Sequence, residues 1–204
     1  MTGLYVHIPF CKQACTYCDF HFSTNQTQQG KVLGAMRREM VARHKEAENG
    51  ALGSIYFGGG TPSHVGWADI GKFMNLCREL FDVERDAEVT LEVNPDDVDE
   101  ENIRRWKALG ITRLSLGIQS FRDDRLKWMG RAHDAAHARK SIELVARAGF
   151  ASWTIDLIYG LPEMTVGEWD EQLTIALEAQ PDKKSALLKI IWDKTVASTL
   201  VKLP

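Results

Sequence analysis

Five short apolar runs, each followed by a one-faced helical stretch, confine this chain to a parallel α/β architecture. The runs are Leu4–His7, Ser54–Phe57, Glu88–Val93, Arg113–Ile118 and Trp153–Ile158. The stretches between and after them have helical spacing. Gln29–His44 carries Val32, Leu33, Met36, Met40 and Val41, and Trp67–Phe81 follows the second run. Asp99–Leu109 puts Ile103, Trp106 and Leu109 on one side and stops at Gly110. Asp134–Arg147 carries Ala138, Ile142 and Val145 and ends at Gly149. Val166–Ala179 carries Trp169, Leu173, Ala176 and Leu177. Repeated strand–helix units with connections of a few residues give a parallel sheet with right-handed crossovers. A barrel, or part of one, suits this pattern better than a doubly wound sheet.

The chain has 204 residues, enough for one domain with a real core. Its hydrophobic share of 44% and formal net charge of −3 are those of an ordinary globular protein, so nothing in the composition points to nucleic acid. No apolar stretch approaches the length of a membrane-spanning helix. Met1–Phe10 lacks the basic start and apolar run of a secretory leader. Four cysteines, three clustered and Cys77 alone in an apolar helical stretch, do not read as a disulfide framework, and the expected home is a reducing cytoplasm. Cys77 reads as a small core residue.

Cys11, Cys15 and Cys18 follow the first strand with the spacing C-x3-C-x2-C. Three thiolates from one short loop can hold three irons of a [4Fe–4S] cluster and leave the fourth iron open to a substrate. A structural zinc site is the rival. It wants four ligands, usually in C-x2-C pairs, and His7 or His21 would have to complete the set. Three unligated thiols are the third reading. The spacing favours the cluster.

In parallel α/β folds, ligands bind outside the carboxyl ends of the strands. Each strand here ends in residues able to bind a ligand: the cysteine loop, then Gly58-Gly59-Gly60-Thr61-Pro62, then Glu92 and Asn94, then Gln119 and Ser120, then Asp156 and Tyr159. The glycine run is neither a Walker A loop nor a dinucleotide fingerprint. It frees the backbone to approach a ligand, or it is simply a turn. Glu92 and Asp156, acids within apolar strands, need a partner or a cationic ligand. For Glu92 the structural alternative is an ion pair with Arg113. Gln119 can bond a sugar or a carboxylate, or simply cap its strand end, and Arg131 can pair with an anion or stand as a solvated loop arginine. His133 and His137 read as a solvated pair, and Asp123-Asp124 and Arg37-Arg38 as solvated or helix-end charges.

Two further stretches complete a pattern. Tyr5-Val6-His7-Ile8-Pro9-Phe10-Cys11 and Cys15-Thr16-Tyr17-Cys18 resemble the radical S-adenosylmethionine (SAM) enzymes. More closely, they resemble the branch of oxygen-independent coproporphyrinogen III dehydrogenases (HemN) and HemW heme chaperones. Gly58–Pro62, Leu91–Pro95, Ser115–Ser120 and Asp156–Pro162 recur there in the same order, and the resemblance covers about Leu4 to Asp182. It implies a partial parallel (β/α)6 barrel with five clear units and a sixth strand drawn from Ser185–Ile191. Residues 1–182 would form the core and 183–204 an atypical tail. It implies that Cys11, Cys15 and Cys18 ligate the cluster and that SAM chelates the open iron. Gly59, Gly60 and Thr61 would lie along the methionyl end of SAM with Glu92 nearby, Tyr5 and Tyr17 would flank it, and Gln119, Arg131 and Asp156 would contact its ribose or carboxylate. The cofactors would generate a 5′-deoxyadenosyl radical, and no side chain is assigned a catalytic role.

The same resemblance implies heme or porphyrin as ligand and an electron donor such as a flavodoxin or ferredoxin. Active dehydrogenases carry a cysteine two positions after the last ligand, where this chain has Phe20. That favours the HemW type, a heme chaperone, over coproporphyrinogen decarboxylation. The family continues into a C-terminal domain with a His-Asn-x-x-Tyr-Trp heme motif, and these 204 residues contain no such motif. A truncated copy, and an inactive one, are therefore further expectations.

Overall fold

The computed structural model of the chain describes residues 2–46, 50–179, 187–191 and 199–202, the last two segments as backbone strands. Strands β1 (Thr2–Ile8), β2 (Leu52–Gly59), β3 (Val83–Val93), β4 (Arg113–Gln119) and β5 (Ser152–Ile158) alternate with helices α1 (Gln29–Arg43), α2 (Trp67–Leu80), α3 (Glu100–Leu109), α4 (Asp123–Trp128), α5 (Ala135–Ala148) and α6 (Val166–Glu178). Beyond α6 come β6 (Leu187–Ile191) and β7 (Thr199–Lys202). The sheet runs β1-β2-β3-β4-β5-β6-β7 in chain order. β1 to β6 pair in parallel, and β7 adds to β6 antiparallel. This is the expected open, barrel-like order. The sixth strand falls within the expected Ser185–Ile191 run, although Ser185 and Ala186 themselves lie outside the described residues.

Alternate strand residues point at the helices and build the core. Val6 and Ile8, Ile55 and Phe57, Leu91 and Val93, Leu114 and Leu116, and Ile155 and Leu157 are all buried in one cluster. From α2, Ile70, Phe73, Met74 and Cys77 meet them at helical spacing, and Cys77 is fully buried, as read from its apolar surroundings. Trp106 of α3 and Ala138, Ile142 and Val145 of α5 complete the layer.

The helix ends follow their local chemistry. Asp99 caps α3 by accepting from Asn102 N at 2.6 Å, Asp134 caps α5 through His137 N at 2.8 Å, and Thr165 caps α6 through Glu168 N at 3.1 Å. Gly110 closes α3 in the left-handed region at φ 90°, where a side chain is disfavoured. Cations of one helix also cap the next. Arg78 of α2 donates to Leu109 O at 2.7 Å, and Lys107 of α3 donates to Ala148 O.

Several readings need correction. β3 begins at Val83, five residues before the expected start. α4, at six residues, is too short for periodicity to reveal. His133 is not solvated: it is 4% exposed and its Nε2 bonds Ile118 O at 3.0 Å, whereas His137 stays at the surface. Val41 is exposed rather than part of the helix's packed face. Arg37 is half-buried, 3.7 Å from Asp69 and over the Phe73 ring. Asp123 and Asp124, by contrast, are the exposed helix-end charges expected, in the first turn of α4, and Asp123 Oδ1 also accepts from Ala135 N at 2.8 Å.

Candidate functional site

The cysteine loop leaves the carboxyl end of β1 and is pinned at its base. Ser23 N donates to Pro9 O at 2.8 Å and Cys11 N to Ser23 O at 3.1 Å, while Gln26 Nε2 reaches Cys11 O at 2.9 Å. Cys18 N closes a turn on Cys15 O at 3.2 Å. The glycine turn after β2 lies directly against this loop. Gly60 N donates to Ile8 O at 2.8 Å and Thr61 N to Phe10 O at 2.7 Å. A Cβ at Gly60 would stand 2.7 Å from Phe10 O and 3.0 Å from Cys11 Sγ, so only glycine fits there. The run is thus more than a bare turn.

The other wall comes from the segment between α4 and α5. Thr16 N donates to Met129 O at 3.0 Å, Thr16 Oγ1 to Trp128 O at 3.1 Å, and Gln13 Nε2 to Gly130 O. Cys11, Cys15 and Cys18 are half-buried free thiols. Burial first, and then the neighbouring cysteines among smaller causes, push the Cys11 and Cys18 thiols up. Such thiols become thiolates only with a cation to pair with, which is what a metal centre supplies. Among the described residues, no three His, Cys, Asp or Glu side chains are placed to hold a single metal ion.

These elements line a cleft of about 110 Å³ at the carboxyl ends of the strands. The three cysteines, Tyr17, Gly59, Gly60, Thr61, Glu92, Gln119, Arg131 and Asp156 all line it. Tyr5 does not. It stands on β1 with its hydroxyl 3.1 Å from His7 Nδ1 and its ring 5.9 Å from that of Tyr56.

Both acids of the cleft are oriented. Tyr56 donates to Glu92 Oε1 at 2.8 Å and Gly59 N to Oε2 at 3.2 Å. Arg113, the partner considered for Glu92, sits 3.7 Å from Glu88 instead. Ser115 Oγ lies 3.1 and 3.3 Å from the two oxygens of Asp156, and Thr154 donates to Ser115 at 3.1 Å.

Gln119 is 7% exposed and adopts φ 67°, a strained backbone for a residue with a side chain. Its Oε1 is buried and finds no partner among the described residues. A buried acceptor without a partner, on a residue that lines the cleft, calls for a hydroxyl or N–H. Arg131 Nε is a buried donor in the same position. One orphaned acceptor, one orphaned donor, two held carboxylates and a bare glycine backbone fit an amino acid joined to a nucleoside. The thiols fit a cluster.

The expectations missed Tyr56, Ser115 and Thr154, the residues that orient the acids. The signal was present in the strand alternation. Each is polar, within an apolar strand, and on the same face as the acid it serves.

A family model described as the radical SAM superfamily matches residues 5–174. Heme chaperone HemW of Synechocystis is 34% identical over 202 residues, covering 96% of this chain and 48% of that protein. The oxygen-independent coproporphyrinogen III oxidase of Escherichia coli is 33% identical over 185 residues, covering 90% of this chain and 40% of that protein. The structure reported for coproporphyrinogen III oxidase (HemN) from Escherichia coli, a radical SAM enzyme, superimposes with a TM-score of 0.82. It is 32% identical and covers 92% of this chain and 43% of that one. The chain therefore spans about half the length, or less, of these relatives.

Proposed function

This chain belongs to the radical SAM superfamily, a family that implies a [4Fe–4S] cluster and SAM, and from that premise we propose that it is a HemW-type protein that handles heme. The observation that carries the reading is one cleft. It gathers three free thiols, two oriented carboxylates and the orphaned Gln119 acceptor. Cys11, Cys15 and Cys18 would hold the cluster. When bound, the cluster and SAM supply one-electron reductive chemistry at a sulfonium carbon.

The chain's own residues supply placement. Glu92, fixed by Tyr56 and the Gly59 amide, offers a carboxylate to the ammonium of SAM. The glycine turn offers backbone to its methionyl end. Asp156, held by Ser115, and Gln119 Oε1 accept from ribose hydroxyls. Tyr17 and the buried guanidinium of Arg131 close the side of the cleft next to Cys15 and keep water from it.

Phe20 supports the chaperone over the dehydrogenase. It lines the cleft and is 49% exposed at the position where the dehydrogenases carry a further cysteine. HemW proteins recur among the relatives, at 34% and, in Haemophilus influenzae, 37% identity. Heme or a porphyrin is then the ligand, a flavodoxin or ferredoxin the reductant, and the cytoplasm the compartment. Among the described residues no helix is long and apolar enough to cross a membrane. The test is anaerobic reconstitution with iron and sulfide. The expected product is brown, changes its spectrum on adding SAM, and binds hemin. Stoichiometric zinc without labile sulfide sinks the cluster. Turnover of coproporphyrinogen III, the second reading drawn from the 33% identical oxidase, would sink the Phe20 argument.

A further inference from the structure

Arg131 is fixed from two sides. Its Nη2 donates to Asn94 Oδ1 at 2.6 Å, just beyond β3, and to Gly117 O at 2.9 Å on β4. Its Nη1 faces the cysteine loop, 3.2 Å from the Tyr17 hydroxyl and 3.6 Å from Cys15 Sγ. The residue before it, Gly130, turns at φ 69° with its open side against Ala14 and Cys15. A guanidinium anchored this way cannot swing off the sulfur. Its oxygen partners are an amide, a carbonyl and a phenol, none of which cancels its charge. Among the described residues, the other cation lining the cleft is Lys12, which is largely exposed and lies 3.8 Å from Asp96.

We propose that Arg131 is a positioning residue for electron transfer: its fixed charge, donated to Cys15 Sγ, raises the reduction potential of the cluster held by Cys11, Cys15 and Cys18. This rests on reading that loop as a cluster site. One electron from an external reductant makes an already anionic thiolate-bound cluster more anionic. A buried positive charge on a ligating sulfur stabilises the reduced form more than the oxidised one, and charge and hydrogen bonds at the sulfurs are among the factors that set such potentials. The contact needs no SAM, which separates it from any contact that Arg131 makes with SAM.

The test is a redox titration of the reconstituted full chain with dithionite, without SAM, followed by electron paramagnetic resonance. Arg131→Gln removes the charge. At a fixed potential its reduced-to-oxidised ratio is expected to fall about tenfold, equivalent to a shift of about 59 mV for a one-electron couple. Arg131→Lys keeps a cation and is expected to recover most of the wild-type value. Asn94→Asp leaves the arginine in place but neutralises it from the far side, and is expected to lower the potential as well. Equal potentials in wild type, Arg131→Gln and Asn94→Asp overturn the proposal. Failure of both variants to load a cluster that the wild type loads also overturns it, because Arg131 would then be a strut. A wild type that loads no cluster refutes the cluster reading itself, a separate result.

Discussion

The two faces of the same strands do different work. Toward the helices stand Ile55, Phe57, Leu91, Leu114, Leu116, Ile155 and Leu157, almost all without exposed surface and in one continuous cluster. One residue away, on the opposite face, stand Tyr56, Glu92, Ser115, Thr154 and Asp156, joined by hydrogen bonds rather than by packing. The parallel register keeps them level: Glu92 pairs with Ser115, and Ser115 with Thr154. Stability is concentrated on the face where sequence can vary among apolar residues of similar volume. Ligand recognition is concentrated where hydrogen-bonding geometry decides. A one-residue slip of any strand would exchange the two.

The sharpest break between the faces comes at the rim. Replacing Cys11, Cys15 or Cys18 with Ala is expected to abolish the chromophore and most bound iron after anaerobic reconstitution. The melting temperature of the metal-free protein should change little, because these thiols are half-buried and outside the main cluster. Retention of full iron and labile sulfide by any one variant refutes the ligand set.

The helix-facing layer should show the reverse behaviour. Phe57 is fully buried against Phe73, with ring centroids 6.4 Å apart. Phe57→Ala is expected to cost about 3–5 kcal/mol in denaturant unfolding. Ser115→Ala, on the other face of the sheet, is expected to cost only ~1 kcal/mol. Equal losses at the two positions would erase the distinction.

His133 lies behind the rim and tests the boundary. Burial, reinforced by Arg131, pulls its pKa down from 6.5 to about 4, against the opposing pull of Ile118 O, Asp96 and Asp134. The unfolded chain therefore binds the proton first as pH falls. The contribution is fully present above pH 6.5 and is lost as pH falls toward 4, on the order of 3 kcal/mol in all. Melts from pH 7 to 4.5 should show a steeper decline for the wild type than for His133→Gln. Parallel declines contradict the assignment.

A modest effect is expected on binding. Glu92→Ala should weaken SAM binding to the reconstituted protein by about 1–3 kcal/mol, the scale of a lost charge-assisted hydrogen bond. Binding of methylthioadenosine, which lacks the ammonium, should be unaffected. Calorimetry finding equal losses for both ligands would move Glu92 from ligand contact to scaffold.

Much of this was legible in the chain. The βα alternation follows from hydrophobic periodicity, and Gly110 and Gly149 mark helix ends because few other residues accept the left-handed backbone. The cysteine spacing favoured a cluster over zinc, since ligand identity and spacing are local properties. Other features were illegible because they depend on residues far apart in sequence. His133 looked solvated until Ile118 was placed beside it, 15 residues away. Short elements such as α4 carry too few residues to show a period. β7 pairs antiparallel after five parallel partners, a reversal that no spacing announces.

By itself, then, the sequence determined the alternation of the longer strands and helices, most of the helix faces that pack, and which side chains are chemically suited to a cluster and its ligand. Those follow from short-range periodicity and side-chain chemistry. Only the tertiary structure decided which groups touch. It put Tyr56 rather than Arg113 on Glu92, left Tyr5 outside the cleft wall, and set Arg131 against Cys15, 116 residues earlier. Such contacts are fixed by strand register and by the packing of loops from separate crossovers, and no local pattern encodes the distance between two loops.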